Sequence, residues 1–97
     1  NISGPEVEDA LLSHTAVAQC AVIGKPDSER GMLVQAFCVL APGHAGNTDM
    51  VKALQDHVKQ HLAPYKYPRD IVFVDSLPRT ATGKILHRTL RQRYVTA

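Results

Sequence analysis

Tryptophan is absent from these 97 residues, and phenylalanine and tyrosine together supply only five. A surface built to stack a series of unpaired bases has little to work with. Long apolar runs are missing too. Met32–Pro42 is the longest nearly apolar stretch, it is broken by Gln35, and it falls well short of the ~20 residues a bilayer demands. Asn1-Ile2-Ser3-Gly4-Pro5 has neither the basic nor the apolar segment of a secretory signal, and the lack of an initial methionine reads as a processed or excised piece. Cysteine is scarce. Cys20 and Cys38 lie in strand-like apolar runs without close histidines, which argues against a zinc set. They read as buried, reduced thiols of a cytoplasmic protein, with a disulfide as the alternative. Repeats, low-complexity tracts and internal linkers are all absent, so residues 1–97 form one domain.

What is present is an ordinary globular composition, 44% apolar, with its charge unevenly spread. Residues 1–63 hold four lysines and arginines against seven carboxylates, whereas residues 64–97 hold seven against two. The C-terminal third is therefore basic. A negatively charged partner and a solvated basic helix both account for it.

Ser3 and Glu6 have capping-box spacing around Pro5, which predicts a helix over 5–14. Glu6, Glu8 and Asp9 suit the positive end of that helix's dipole, a structural role that accounts for them without catalysis. Val17–Ile23 reads as a strand, Gly24–Gly31 as a hairpin loop dense in turn formers, and Leu33–Leu40 as a second strand. Met50, Val51, Leu54, Val58 and Leu62 recur at helical spacing, placing a helix near 48–62 that Pro64 stops. Asp70–Val74 is a third, largely buried strand. Leu77–Gly83 is a loop, and Leu86, Leu90 and Tyr94 align on a final basic helix. The order αββαβα predicts an α+β fold: a small three-stranded, largely antiparallel sheet flanked by helices.

The stretch Pro78-Arg79-Thr80-Ala81-Thr82-Gly83-Lys84-Ile85 invites comparison with a phosphate loop. Pro78 stands where that loop needs its first glycine and Ile85 where it needs a magnesium-binding hydroxyl, so neither cradle nor ligand forms. What remains is a lysine on a loop of small and hydroxyl residues, a mobile point charge suited to reaching a site on another surface. On chemistry alone, a solvated surface lysine is the simpler reading of Lys84. His57 and His61 have metal-compatible i,i+4 spacing but no evident third ligand, and read as a solvent-facing pair. No histidine joins a serine or cysteine in a nucleophilic triad.

That same stretch resembles the last core motif of the adenylate-forming enzymes, among them acyl-CoA synthetases, aryl-CoA ligases, luciferases and peptide-synthetase adenylation domains. Three further segments resemble the family in the same order: Asn1-Ile2-Ser3-Gly4-Pro5-Glu6-Val7-Glu8, Val22–Gly31 with Pro26-Asp27 and Arg30-Gly31, and Leu62-Ala63-Pro64-Tyr65-Lys66-Tyr67-Pro68-Arg69. Within the family the first and last of these look most like medium-chain acyl-CoA synthetases and benzoate- or aminobenzoate-CoA ligases. The resemblance implies that residues 1–97 are the small C-terminal lid domain of an ATP-dependent acid–CoA ligase whose large N-terminal domain is absent from this chain. It implies two half-reactions. A carboxylate first attacks ATP to give acyl-adenylate and pyrophosphate, and the CoA thiol then displaces AMP after the lid rotates.

Carried over position by position, Lys84 would be the catalytic, ATP-contacting lysine. Arg30, Lys59, Tyr67, Pro68 and Arg69 would contact CoA. Mg2+ would be bound by the large domain, and no metal ligands fall on this chain. The carboxylic acid would be aryl or medium-chain. Asn1 falls where the medium-chain synthetases often carry arginine, which leans toward the aryl acids. The family's hinge residue and the glycine lining its CoA tunnel would precede Asn1. The competing class is a small basic module that holds nucleic acid or a protein partner through His87, Arg88, Arg91 and Arg93. Against it, nothing resembles an RNA-binding strand motif, so the leading expectation has no nucleic-acid partner and no membrane.

Overall fold

The computed structural model describes residues 4–29, 31–62 and 67–94. They form α1 (Gly4–Leu12), β1 (Val17–Asp27), β2 (Gly31–Leu40), α2 (Thr48–His61), β3 (Asp70–Phe73) and α3 (His87–Tyr94), in the order the sequence predicts. The sheet runs β1-β2-β3. β1 and β2 are an antiparallel hairpin, and β3 lies parallel to β2. The sheet is therefore mixed. A parallel neighbour needs a crossover rather than a tight turn, and α2 is that crossover, running between β2 and β3 and packing on the sheet.

Two details of β1 depart from simple alternation. Its pairing with β2 runs unbroken to Asp27↔Gly31, so strand continues into the segment predicted as loop. Pro26 permits this. The Val22 N–H faces away from β2, towards Glu8, and the regular register carries Pro26 to that same outer side, where its missing N–H removes nothing from the β1–β2 ladder. Nearer its start the register shifts between Val17 and Gln19. This one-residue bulge changes side-chain parity, so that Val17 joins Cys20 and Val22 on one face while Gln19 falls on the other with Ala21 and Ile23.

The sheet separates two apolar cores. On the first face, Val7 and Leu11 of α1 and Leu54 and Val58 of α2 are fully buried against Val34, Ala36, Cys38 and Ile71. On the second face, Phe37 is fully buried with Ala21, Ile23, Leu77 and Leu90, and Ile85 packs against them. α3 and the loop before it cover this face. Burying a side chain such as Phe37 stabilises by about 1.5–3 kcal/mol.

α2 begins at Asn47, whose Oδ1 accepts the Met50 N–H at 2.9 Å, satisfying one of the helix's orphan donors. At Gly46 a Cβ would stand 2.7 Å from the Phe73 ring, so the ring closes over the entry to α2 only because that position is glycine. Only Ile71 of the third strand is fully buried, with Val72, Phe73 and Val74 half-covered at the sheet's edge. The predicted capping box with Ser3 and the helix stop at Pro64 lie outside the described residues, as does the side chain of Tyr94. No helix among the described residues is long and apolar enough to cross a membrane.

Candidate functional site

Residues 77–86 form a short hairpin closed by an isolated antiparallel bridge between Arg79 and Ile85. The Thr80 N–H donates to the Lys84 carbonyl at 2.8 Å, and the Gly83 N–H to the Thr80 carbonyl at 3.0 Å. The Lys84 N–H donates to Thr80 Oγ1 at 3.1 Å, and the Thr82 hydroxyl lies 2.9 Å from that oxygen. Gly83 has φ +91°, a conformation that L side chains rarely adopt. The threonines and glycine thus shape the turn, as expected from sequence. Lys84 itself is exposed, so its ammonium projects from a loop whose stem residues, Leu77 and Ile85, are fixed in the second core.

Tyr67 sits on the other face, packed against the first core. Lys59 Nζ lies 4.2 Å from its ring centroid and Arg69 Cζ 4.9 Å, within cation–π range. Pro68 is fully buried, and its carbonyl accepts from Gln55 Nε2 at 3.0 Å. The Arg69 N–H donates to the Val34 carbonyl at 3.0 Å. Two segments are thereby drawn into one cationic cluster: Lys59 from α2, and Tyr67 and Arg69 from the approach to β3. Arg30 lies outside the described residues.

Sequence reasoning did not single out Gln55 as a support for this cluster. Nor did it give Arg79 a role of its own. Gln55 is one turn from Lys59, and that spacing on α2 was the available signal.

Glu8 likewise does more than complement a helix dipole. Its Oε2 accepts the Val22 N–H at 2.8 Å and lies 2.9 Å from His87 Nε2. It ties α1, the outer edge of β1 and the start of α3 together.

His57 departs from the expected solvent-facing pair. It is half-buried, with its ring edge-on to His14 at 5.0 Å and tilted against His61 at 4.3 Å. Its Nε2 is 2.7 Å from Ser13 Oγ. Because that hydroxyl donates to the Ala10 carbonyl at 2.6 Å, His57 Nε2 must carry the proton. Burial first, then the charges of His61 and His14, push its pKa below the usual imidazole value, against an opposing backbone hydrogen bond at Ala10. Among the described residues no three of His, Cys, Asp and Glu are grouped to hold a metal ion.

Cys20 and Cys38 are free, buried and directly opposite in the register. Burial, joined at Cys20 by the neighbouring Cys38, Glu8 and Asp9, pushes both thiols up to about 12, so neither supplies a thiolate nucleophile near neutral pH.

The sequence profile described as the AMP-binding enzyme C-terminal domain matches residues 6–84. A Bacillus subtilis (strain 168) relative, the uncharacterized acyl–CoA ligase YtcI, is 53% identical over 91 residues, covering 93% of this chain and 17% of its own length. A crystal structure of Brucella canis acyl-CoA synthetase superposes with a TM-score of 0.93 at 45% identity, over 96% of this chain and 17% of that one. A benzoate CoA ligase from Burkholderia xenovorans LB400 superposes with a TM-score of 0.84 at 48% identity, over 92% of this chain and 18% of that one. The chain thus spans about a sixth of the length of the relatives it matches.

Proposed function

Because this chain belongs to the family of AMP-binding enzyme C-terminal domains, we propose that it is the mobile lid of an AMP-forming acid–CoA ligase, serving two half-reactions with two different faces. The observation that carries this reading is the position of the two cationic features. The Lys84 loop is rooted in one core and the Tyr67 cluster in the other, with the sheet between them.

In the first half-reaction a substrate carboxylate oxygen attacks the α-phosphorus of ATP, and pyrophosphate leaves with the bonding pair. Two anions must meet. The exposed Lys84 ammonium, directed at the junction of carboxylate and α-phosphate, stabilises the charge that accumulates there. ATP's remaining contacts and Mg2+ belong to a large N-terminal domain of the parent protein. In the second half-reaction the CoA thiolate attacks the acyl carbonyl and AMP departs. The lid has then turned, so that Lys59, Tyr67, Arg69 and Arg30 face CoA, while Pro68, expected to touch CoA, is buried and instead fixes the backbone beneath them.

Lys59 and Arg69 supply cations for CoA's phosphates. In the described state both lie over the Tyr67 ring, so the ring serves first to hold them in place. Stacking of adenine on Tyr67 requires one of them to lift away. The acid is aryl or medium-chain, consistent with the acyl-CoA synthetase and benzoate ligase likenesses. The free, buried thiols support a reducing compartment, the cytoplasm.

The test uses full-length protein and measures each half-reaction separately. Lys84→Ala is expected to slow adenylation, read by pyrophosphate exchange, by about a hundredfold or more. It should spare thioester formation from supplied acyl-adenylate. Arg69→Ala should leave exchange intact and raise the apparent KM for CoA. If Lys84→Ala slows both steps equally, the two-face reading fails.

A further inference from the structure

The hydrogen bonds within the 77–86 hairpin tie that loop to itself. The Arg79 side chain joins its tip to the sheet. Nη1 donates to the Gly83 carbonyl at 2.7 Å, and Nη2 donates to Gln19 Oε1 at 2.7 Å. A guanidinium is planar and rigid, so two of its nitrogens hold their acceptors at a fixed separation. Gln19 is placed to receive it by the β1 bulge, which leaves Gln19 on the face of the sheet that the loop covers.

The carbonyl that Arg79 holds belongs to the peptide unit joining Gly83 to Lys84. The other end of that unit, the Lys84 N–H, is held by Thr80 Oγ1 at 3.1 Å. Both ends of one rigid, planar unit are therefore fixed. This matters because Gly83, at φ +91°, imposes little conformational restraint of its own. Without the guanidinium the Gly83 carbonyl loses its anchor, and the support of the Lys84 Cα is left to the Thr80 bonds at the Lys84 N–H and carbonyl.

We propose that Arg79 and Gln19 form a strut that positions Lys84 for adenylation, making both of them positioning residues for that half-reaction. This rests on the reading of Lys84 given above. Arg79 acts through the Lys84 backbone, and Gln19 acts through Arg79. The distance from β1 to the tip of the loop is thus set by charge-assisted contacts rather than by apolar packing.

The experiment compares Arg79→Gln, Gln19→Leu, Gln19→Glu and Lys84→Ala in full-length protein, singly and with Arg79→Gln combined with Lys84→Ala. Misplacing a catalytic group by a fraction of an ångström is expected to lower kcat for pyrophosphate exchange about tenfold in Arg79→Gln and about threefold in Gln19→Leu. KM for ATP and for the acid should hold, and thioester formation from supplied acyl-adenylate should be unaffected. Gln19→Glu keeps the acceptor and should keep the rate. In the Lys84→Ala background, Arg79→Gln should cost nothing more, which neither a general folding defect nor a direct substrate contact by Arg79 would produce.

A readout independent of activity is 15N relaxation of the Lys84 amide in the 97-residue chain, which should show increased fast motion in Arg79→Gln. If Lys84→Ala leaves exchange intact, the reading of Lys84 falls and the strut's function with it. If Lys84→Ala is severe while Arg79→Gln and Gln19→Leu are silent, or the Arg79 penalty persists without Lys84, the strut alone is overturned. An Lys84 amide equally ordered with and without Arg79 also overturns it.

Discussion

The Lys84 loop and the Tyr67 cluster both present cations to solvent, but they are built on opposite principles. Lys84 stands near the tip of a hairpin held by a short, directional hydrogen bond from Arg79 to the Gly83 carbonyl and by one that the Lys84 N–H donates to Thr80. Around Tyr67, two cations share one aromatic ring, and the polypeptide beneath is fixed by a buried proline and by bonds from Gln55 and to Val34. The first arrangement fixes the backbone that carries one charge; the second spreads charge over a surface and lets the side chains adjust. A group that must meet a transition state needs the former. A patch that receives a large, flexible polyanion tolerates the latter.

Removing the support beneath one face should have the largest effect. Phe37 is fully buried in the core under the Lys84 loop, and Phe37→Ala should destabilise the domain by about 3–5 kcal/mol, read as a lowered urea midpoint. The milder Phe37→Leu sharpens the contrast. Hydrogen exchange should accelerate in residues 77–86 and stay unchanged at the Arg69 amide. Equal acceleration at both would mean the two faces are not independently supported.

Next in size is the Glu8 connection. Glu8→Ala leaves the Val22 N–H without its acceptor and separates α1 from His87, and should lower stability by about 1–2 kcal/mol in the same assay. Tyr67→Leu keeps the apolar packing and removes the ring under both cations. The apparent KM for CoA should rise about threefold to tenfold, with pyrophosphate exchange unchanged.

The smallest expected effect is that of pH at His57. Its pKa in the fold lies below the unfolded value of about 6.5, so as pH falls the unfolded chain takes the proton first. Stability is therefore complete above that range and declines as pH drops through it. His57→Gln should flatten this slope in thermal melts between pH 7 and 5, and a slope unchanged by the substitution would remove His57 as its cause.

Much of this architecture is legible in the sequence because it is local. The spacing of Leu54 and Val58 marks the buried side of α2, and alternation in β2 assigns Val34, Ala36 and Cys38 to one face and Phe37 to the other. The threonines and glycine around Lys84 announce their turn. What escapes depends on residues far apart in the chain. Pro26 reads as a loop residue until the register reveals which way its nitrogen points, and the direction of β3 depends on where α2 returns the chain. Gln19 meets Arg79 across 60 positions and Glu8 meets His87 across 79. Nothing in the spacing of either pair marks it. His57 shows the same limit: its i,i+4 relation to His61 is visible, whereas its contact with His14 and Ser13 arises from the packing of α1 on α2.

The outer edge of β1 has a bearing on solubility. An uncovered strand edge is a template on which another chain can add itself. Here one outward N–H is occupied by the Glu8 carboxylate and another is deleted by Pro26, so an incoming strand finds a broken row of donors. For a domain proposed to swing between two docked positions, an undocked lid would present that edge to neighbouring copies. A carboxylate and a proline on that edge would let the proposed movement recur without the detached lid seeding intermolecular sheet.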